Sequence, residues 1–162
     1  MRLLIIGGTR FLGRHLVDAA LARGDSVTLF NRGQSAAQPP AGVHWLQGDR
    51  AGDLAVLHQG PAWDAAIDTC GYLPADTGRL ARALAPRVGR LVFISSVSAY
   101  AGMATPNDEG SSLARFGAGD DPGTSTVDGR SYGPLKALCE AAVVQALGAG
   151  RSVEQAYRLG CV

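Results

Sequence analysis

The chain has 162 residues, of which 46% are hydrophobic and 18% are charged, and its formal net charge is +1 at pH 7. This balance is typical of one globular domain that buries a substantial core. The near-neutral charge offers no basic field, so we expect neither nucleic acid nor a membrane as a partner. Three widely spaced cysteines without a CxxC pair favour a cytoplasmic protein with no disulfide and no metal site.

The hydrophobic pattern predicts strands and helices in alternation. Strands are predicted at 3–6, 26–30, 43–47, 64–68, 90–95 and 153–161, and helices at 11–23, 53–59, 75–84 and 131–147. The predicted apolar face of the first helix contains Phe11, Leu12, His15, Leu16, Ala19 and Ala20. Residues 101–129 lack periodicity and are predicted to form an irregular loop. The alternation predicts an α/β fold, a Rossmann-type doubly wound parallel sheet of about six strands that binds ligands at the carboxyl ends of its strands.

A glycine-rich segment, GGTRFLG at residues 7–13, joins the first strand to the first helix. Its outer glycines match the G-x-x-G-x-x-G dinucleotide-binding pattern, and an arginine replaces the middle glycine. In such a loop, backbone N–H groups and the helix N-terminus face a pyrophosphate. The alternative is a glycine turn that serves packing alone. The predicted cofactor-binding residues are Gly7, Thr9, Arg10, Phe11, Leu12 and Gly13.

The end of the second strand bears on the choice of cofactor. Asn31 and Arg32 follow it, and neither is the carboxylate that usually accepts from the ribose 2′-hydroxyl of NAD. Arg10 and Arg32 are instead suited to pair with a 2′-phosphate. The sequence therefore predicts that NADP is preferred over NAD, with Asn31 and Arg32 at the cofactor. Alternatively, Arg32 is only a surface residue of a turn.

A tyrosine, a lysine and a serine form a candidate catalytic set. Tyr132 and Lys136, the chain's one lysine, lie four residues apart on a predicted helix and share a face. A tyrosine has an unperturbed pKa of about 10, and a nearby ammonium favours its phenolate. Ser96 ends the fifth strand, where a hydroxyl can hold a substrate oxygen. The alternative is a surface tyrosine beside a snorkelling lysine.

The segments GGTRFLG, FNRG, GDR, IDTCGY, FISSVSAY and YGPLK together resemble the extended and atypical short-chain dehydrogenases, grouped with NAD-dependent epimerase/dehydratases. The resemblance covers essentially the whole chain, in the family's order. The GGTRF and FNRG variants are similar to an atypical branch that includes chloroplast stem-loop-binding proteins. The resemblance thus implies a Rossmann domain that binds NAD(P).

The resemblance also implies roles for single residues. Tyr132 matches the catalytic acid–base, Lys136 the residue that holds the nicotinamide ribose and lowers the tyrosine pKa, and Ser96 the residue that orients the substrate, with Ser98 as the alternative. Asp49 resembles the aspartate that contacts adenine. Cys70 is interpreted as a small residue near the cofactor, with a redox thiol as the alternative. The further cofactor contacts implied after the third, fourth and fifth strands are Asp49, Arg50, Asp68, Thr69, Cys70 and Ser95.

The end of the printed sequence resembles the end of a nucleotide-binding domain. Arg158-Leu159-Gly160 is similar to the Arg-Pro-Gly segment that closes the sixth strand in extended members, which continue into a smaller substrate-binding domain. We therefore expect 1–162 to form a NAD(P)-binding Rossmann domain, incomplete after 162 and lacking the C-terminal substrate domain.

These expectations predict an NADP-preferring oxidoreductase or an epimerase/dehydratase-type enzyme that combines Ser-Tyr-Lys acid–base chemistry with hydride transfer. We expect it to be catalytically complete only with its missing C-terminal portion. The expected partner is a small-molecule substrate, either a sugar nucleotide or another carbonyl or hydroxyl compound. A non-catalytic NAD(P)-binding regulatory module is one alternative. RNA binding, which only the atypical relatives suggest, is another. A homodimer is left open as the source of the missing surface.

Overall fold

The computed structural model describes residues 1–34, 38–123 and 126–148 and the backbone of 156–159. The strands are β1 (Arg2–Ile6), β2 (Ser26–Asn31), β3 (Val43–Gln47), β4 (Trp63–Asp68), β5 (Val88–Ser96) and β6 (Ala156–Leu159). The helices are α1 (Phe11–Ala22), α2 (Pro74–Leu84) and α3 (Tyr132–Leu147), and single 3-10 turns lie at Ala55–His58 and Val97–Ala99.

The six strands form one sheet in the order β3-β2-β1-β4-β5-β6, and every neighbouring pair is parallel. The order therefore reverses direction between β1 and β4. Since ligands of doubly wound sheets bind at this switch point, outside the carboxyl ends of the strands, the fold directs attention to the loops after β1 and β4. The doubly wound parallel sheet predicted from the sequence is confirmed.

Two buried layers lie on the two faces of the sheet. Successive side chains of a strand point to opposite faces, so Leu4 and Ile6 of β1 enter the layer beneath α2 and α3, whereas Leu3 and Ile5 enter the layer beneath α1. All four are at most 6% exposed, and full burial of one such side chain stabilises a fold by roughly 1.5–3 kcal/mol. None of the helices in the described part of the chain combines the length and apolarity needed to cross a bilayer.

The predicted apolar face of α1 is wrong at Phe11, His15 and Ala19, which are all exposed. The helix buries Gly13, Val17 and Ala20, while Phe11 is 82% exposed and has a φ of +37°. Gly13 fixes the rotation of the helix, because the backbone of Gly8 lies against it and leaves no space for a side chain. A helix turns 100° per residue, so the residues two positions before and after Gly13 lie on the opposite face.

Three other predictions need adjustment. The predicted helix 53–59 is instead a single 3-10 turn at Ala55–His58. Gly60 and Pro61 follow closely, so the segment is too short for a longer helix. The strand β5 begins two residues earlier than predicted, since Val88 pairs with Trp63. The predicted sixth strand 153–161 coincides with β6 at 156–159, and its two ends lie outside the described residues. The loop 101–129 contains no helix or strand among its described residues, as predicted.

Candidate functional site

The glycine loop after β1 adopts conformations that favour glycine. Gly7 and Gly8 have φ values of +94° and +77°, which other residues rarely adopt. A Cβ on Gly13 would lie 2.8 Å from the Gly8 Cα, so α1 begins directly against the backbone of the loop. These glycines therefore permit the close packing of strand, loop and helix that the sequence motif predicts.

The N-terminus of α1 presents backbone N–H groups without a side-chain cap. Arg10 occupies the N-cap position and makes no side-chain cap hydrogen bond, and the first turn contains no acidic residue. The first N–H groups of a helix have no partner within the helix, and they lie at the positive end of its dipole. Thr9, Arg10, Phe11 and Leu12 thus surround a place that fits a pyrophosphate.

The Asn31 side chain ties the glycine loop to the turn after β2 and to β3. Its Nδ2 donates to the Gly7 carbonyl oxygen at 2.9 Å, and its Oδ1 accepts from the backbone N–H of Gly33 at 2.9 Å and from the Trp45 indole N–H at 3.2 Å. Asn31 therefore positions the loop. The next residue, Arg32, has an exposed side chain, as has Arg10.

The loop after β4 touches the glycine loop at the switch point. The Thr69 hydroxyl donates to the Ile6 carbonyl oxygen at 2.7 Å, and the backbone N–H of Thr69 donates to the same oxygen at 3.1 Å. A Cβ on Gly7 would lie only 2.6 Å from the Thr69 hydroxyl oxygen. The structure thus brings the predicted residues after β1 and after β4 into direct contact.

A buried ion pair joins the loop after β3 to the end of β4. The Arg50 guanidinium donates to both carboxylate oxygens of Asp68, at 3.0 and 2.7 Å, and these side chains are only 15% and 4% exposed. Arg50 also lies 3.5 Å from the sulfur of Cys70, where burial and the charge of Asp68 raise the pKa of the thiol to about 11. Asp49 stays exposed and accepts from the backbone N–H of Ala51. Arg50 and Asp68 are therefore engaged with each other, whereas Asp49 faces solvent.

The Lys136 ammonium lies between the carboxyl ends of β4 and β5. Its Nζ donates to the carbonyl oxygens of Gly71 at 2.9 Å and Ile94 at 2.7 Å, and it lies 4.2 Å from the centroid of the Phe93 ring. The residue is 3% exposed, and burial lowers the pKa of its ammonium. An ammonium has three N–H donors, so the two carbonyl bonds leave one for a further acceptor.

Two tyrosine rings pack beside each other where β4 ends and α3 begins. Tyr132 begins α3, one turn before Lys136, and its ring centroid lies 6.4 Å from that of Tyr72 with a 41° angle between the planes. Tyr72 is not among the residues predicted for the site. The signal for it is its position, since it follows the carboxyl end of β4 just beyond the predicted contacts at 68–70.

The two serines that end β5 point their hydroxyls to different partners. Ser95 donates to the Glu140 carboxylate on α3 at 2.5 Å, and both residues are buried. Ser96 is 2% exposed, and its hydroxyl oxygen accepts from the backbone N–H of Ser98 at 3.2 Å. This turn packs tightly on α3, because a Cβ on Gly133 would overlap with the Ser98 carbonyl oxygen. Ser96 is thus held near the start of α3, and the Ser95 hydroxyl is engaged beneath the helix.

A groove of about 520 Å³ opens beside this turn. It is lined by Val97, Tyr100 and 103–107, none of which is charged. The loop that forms its far wall is closed at its base, where Ala101 donates to Ser112 and Ala114 donates to Ala99 through their backbones. The groove therefore lies between the serine turn and the irregular loop.

Several solved structures resemble this one. The Bordetella bronchiseptica enzyme WbmG in complex with NAD and UDP is 22% identical with a TM-score of 0.68, and the match covers 88% of this chain and 49% of that chain. MoeE5 in complex with UDP-glucose and NAD is 21% identical with a TM-score of 0.69, over 94% and 51%. UDP-glucuronic acid 4-epimerase from Bacillus cereus in complex with NAD is 18% identical with a TM-score of 0.65, over 88% and 51%.

No family model matches the chain, and no curated protein matches it. The chain spans about half the length of the solved structures that it resembles. At these identities the likeness shows the fold, and the Rossmann-type fold implied by the resemblance to short-chain dehydrogenases is thereby confirmed.

Proposed function

We propose that residues 1–162 form the NAD(P)-binding domain of a short-chain dehydrogenase-like enzyme, with the dinucleotide along the carboxyl edge of the sheet. The position of Lys136 carries this proposal. Its ammonium bridges the carboxyl ends of β4 and β5, on the same edge as the glycine loop after β1, and it keeps one donor for a ribose hydroxyl. The solved structures of similar fold that contain NAD support the proposal.

The two ends of the cofactor are assigned to separate groups of residues. The uncapped start of α1 and the glycine loop hold the diphosphate. Asp49 lies exposed after β3, where it is available to the adenine. Arg10 and Arg32 are exposed at the ends of β1 and β2 and pair with a 2′-phosphate, so NADP is preferred over NAD.

The catalytic set consists of Ser96, Tyr132 and Lys136. The bound nicotinamide would supply hydride transfer. Tyr132 exchanges a proton with the substrate oxygen, and Lys136 follows it by one turn on the same helix. The Ser96 oxygen accepts from the turn, which leaves its O–H to donate to the same substrate oxygen. This arrangement suits oxidation or reduction at a hydroxyl or carbonyl carbon, as in oxidoreductases and epimerase/dehydratase-type enzymes.

The substrate class is a small molecule with such a carbon. MoeE5 in complex with UDP-glucose and WbmG in complex with UDP support a sugar nucleotide as the first compound to test. Other carbonyl and hydroxyl compounds are the second class.

The proposal is tested by titration of the chain with NADPH and NADH, followed through nicotinamide fluorescence. We expect tighter binding of NADPH, and the Arg10→Ala/Arg32→Ala variant should lose about tenfold in affinity for NADPH with little change for NADH. Arg82→Ala is the matched control, since this exposed arginine ends α2 at the opposite edge of the sheet. Preference for NADH would contradict the assignment of the arginines. Failure to bind either dinucleotide would contradict the proposal itself.

The catalytic set is tested in the full-length protein with Tyr132→Phe and a panel of carbonyl compounds and sugar nucleotides. Loss of turnover with unchanged NADPH affinity is the expected result, because the phenol moves a proton and holds no part of the diphosphate. Turnover retained by the variant would refute the role of Tyr132. Tight NADPH binding with no turnover of any compound by the unaltered full-length protein would favour the non-catalytic module.

A further inference from the structure

Tyr72 lies at the centre of the proposed site although the sequence motifs assign it no role. It follows Gly71 at the carboxyl end of β4, is 46% exposed, and packs its ring beside that of Tyr132. The backbone before Tyr72 is held in place, because the Gly71 carbonyl accepts from Lys136 and a Cβ on Gly71 would overlap with the Phe93 ring. A half-exposed aromatic ring is thus held beside Tyr132 at the carboxyl edge of the sheet.

The same ring lies over the Lys136 ammonium. The Nζ is 5.8 Å from the centroid of Tyr72 and 4.2 Å from that of Phe93, distances at which a ring face attracts a cation. Phe93 is 2% exposed and belongs to the core, whereas Tyr72 is open to solvent on its other side. Tyr72 therefore stands between solvent and an ammonium that is itself only 3% exposed.

The surroundings of the Tyr72 phenol oppose its ionisation. Burial raises the pKa of Tyr72, and the neighbouring Cys70, Tyr132 and Asp68 raise it further. Tyr72 consequently stays a neutral phenol at physiological pH, with an aromatic face and an O–H donor.

We infer that Tyr72 is a further residue of the site: its ring shields the Lys136 ammonium in the free protein and forms the wall against which the nicotinamide end of the cofactor packs. The shielding rests on the contacts alone. The wall for the nicotinamide rests on the proposed function, so the two halves are tested by separate measurements.

The shielding is tested by reductive methylation with formaldehyde and cyanoborohydride. Lys136 is the only lysine, so mass spectrometry of the tryptic peptide that contains it measures the rate of methylation at Lys136. The amino group of the exposed Met1 reacts in the same sample and serves as the reference for the reagent. Tyr72→Ala should raise the rate at Lys136 by about tenfold, because the amine then becomes accessible without local opening. Tyr72→Phe keeps the ring and should react like the unaltered chain.

Leu73→Ala is the matched control for loosening of the same segment, since Leu73 is a neighbouring residue that is 38% exposed. We expect Leu73→Ala to leave the rate of methylation at Lys136 unchanged. Circular dichroism melting should show that all three variants are folded. An unchanged rate in Tyr72→Ala, or an equal increase in Leu73→Ala, would overturn the shielding.

The nicotinamide wall is tested by calorimetry with the better-bound dinucleotide and the matching ADP-ribose form, which lacks nicotinamide. Tyr72→Ala should lower the affinity for the dinucleotide by about tenfold and change the affinity for the ADP-ribose form by less than about twofold. An equal loss for both ligands, or no loss for either, would overturn the wall. If the unaltered chain binds neither ligand, the proposed function and the wall both fail, while methylation still decides the shielding.

Discussion

Single side chains at the carboxyl edge are held in place by the fold without any ligand. Asn31 has all of its described hydrogen bonds within the protein, and Thr69 donates to the backbone of β1. Lys136 is anchored by two carbonyl oxygens. Groups that are already positioned lose little conformational freedom when a ligand binds, so this edge is preorganised for binding.

We expect Cys70 to be a poor nucleophile at neutral pH. Its pKa is raised from 9.0 to about 11, first by burial and then by the charge of Asp68, so its thiolate fraction at pH 8 is roughly a hundredfold below that of an unperturbed thiol. A raised pKa keeps the thiol protonated to higher pH, so alkylation by iodoacetamide should increase as pH rises through about 11. Mass spectrometry of the peptide that contains Cys70 measures this profile. Rapid alkylation at pH 8 would instead favour the redox thiol.

At the scale of secondary-structure elements, glycines set the distances between neighbours. Gly13 brings α1 onto the glycine loop, and Gly133 brings α3 onto the turn after β5. The second contact matters for the proposed chemistry, because it fixes the distance between the segment of Ser96 and the first turn of α3, which carries Tyr132.

We expect Gly133→Ala to lower the free energy of unfolding by about 2 kcal/mol, because the added methyl group overlaps with the Ser98 carbonyl oxygen and forces α3 away from the turn. Gly129→Ala is the matched control, since nothing lies within 4 Å of its Cβ position, and its effect should stay within about 0.5 kcal/mol. Urea titration measures both values. Equal effects of the two substitutions would show that the contact with Ser98 is not rigid.

The elements also show which features a sequence can predict. The strand β1 and the helix α3 were predicted to within one residue, because hydrophobic runs and periodicity are local properties. The buried face of α1 was not, because it depends on how closely Gly13 approaches the loop. The spacing of Tyr132 and Lys136 was visible on the helix, whereas the contact between Tyr132 and Tyr72 joins segments 60 residues apart and required the fold.

At the scale of the whole molecule, a buried ion pair ties the outer part of the sheet to its centre. Arg50 follows β3, the edge strand, and reaches Asp68 at the end of β4, so the pair spans the positions of β2 and β1. Neither the partner nor the burial of this pair was predicted, because both residues were interpreted only as cofactor contacts.

We expect Asp68→Asn to lower the free energy of unfolding by about 3 kcal/mol, because it leaves the buried Arg50 guanidinium without a counter-charge. The double variant Arg50→Met/Asp68→Asn should recover part of this loss in a double-mutant cycle measured by urea titration. Asp64→Asn is the matched control, since its pair with Arg2 is 42–50% exposed and solvent screening should leave it little effect on the free energy of unfolding. Equal losses in Asp68→Asn and Asp64→Asn would contradict this role of the buried pair.

The loop between Ala101 and Ser112 has a consequence for redesign, because its base is fastened by backbone hydrogen bonds that do not depend on side-chain identity. It supplies most of the groove, yet it carries none of the three proposed catalytic residues. Under the proposed function, a segment transplanted between these two anchors would reshape the groove while leaving Ser96, Tyr132 and Lys136 in place, because none of these three residues belongs to the exchanged segment.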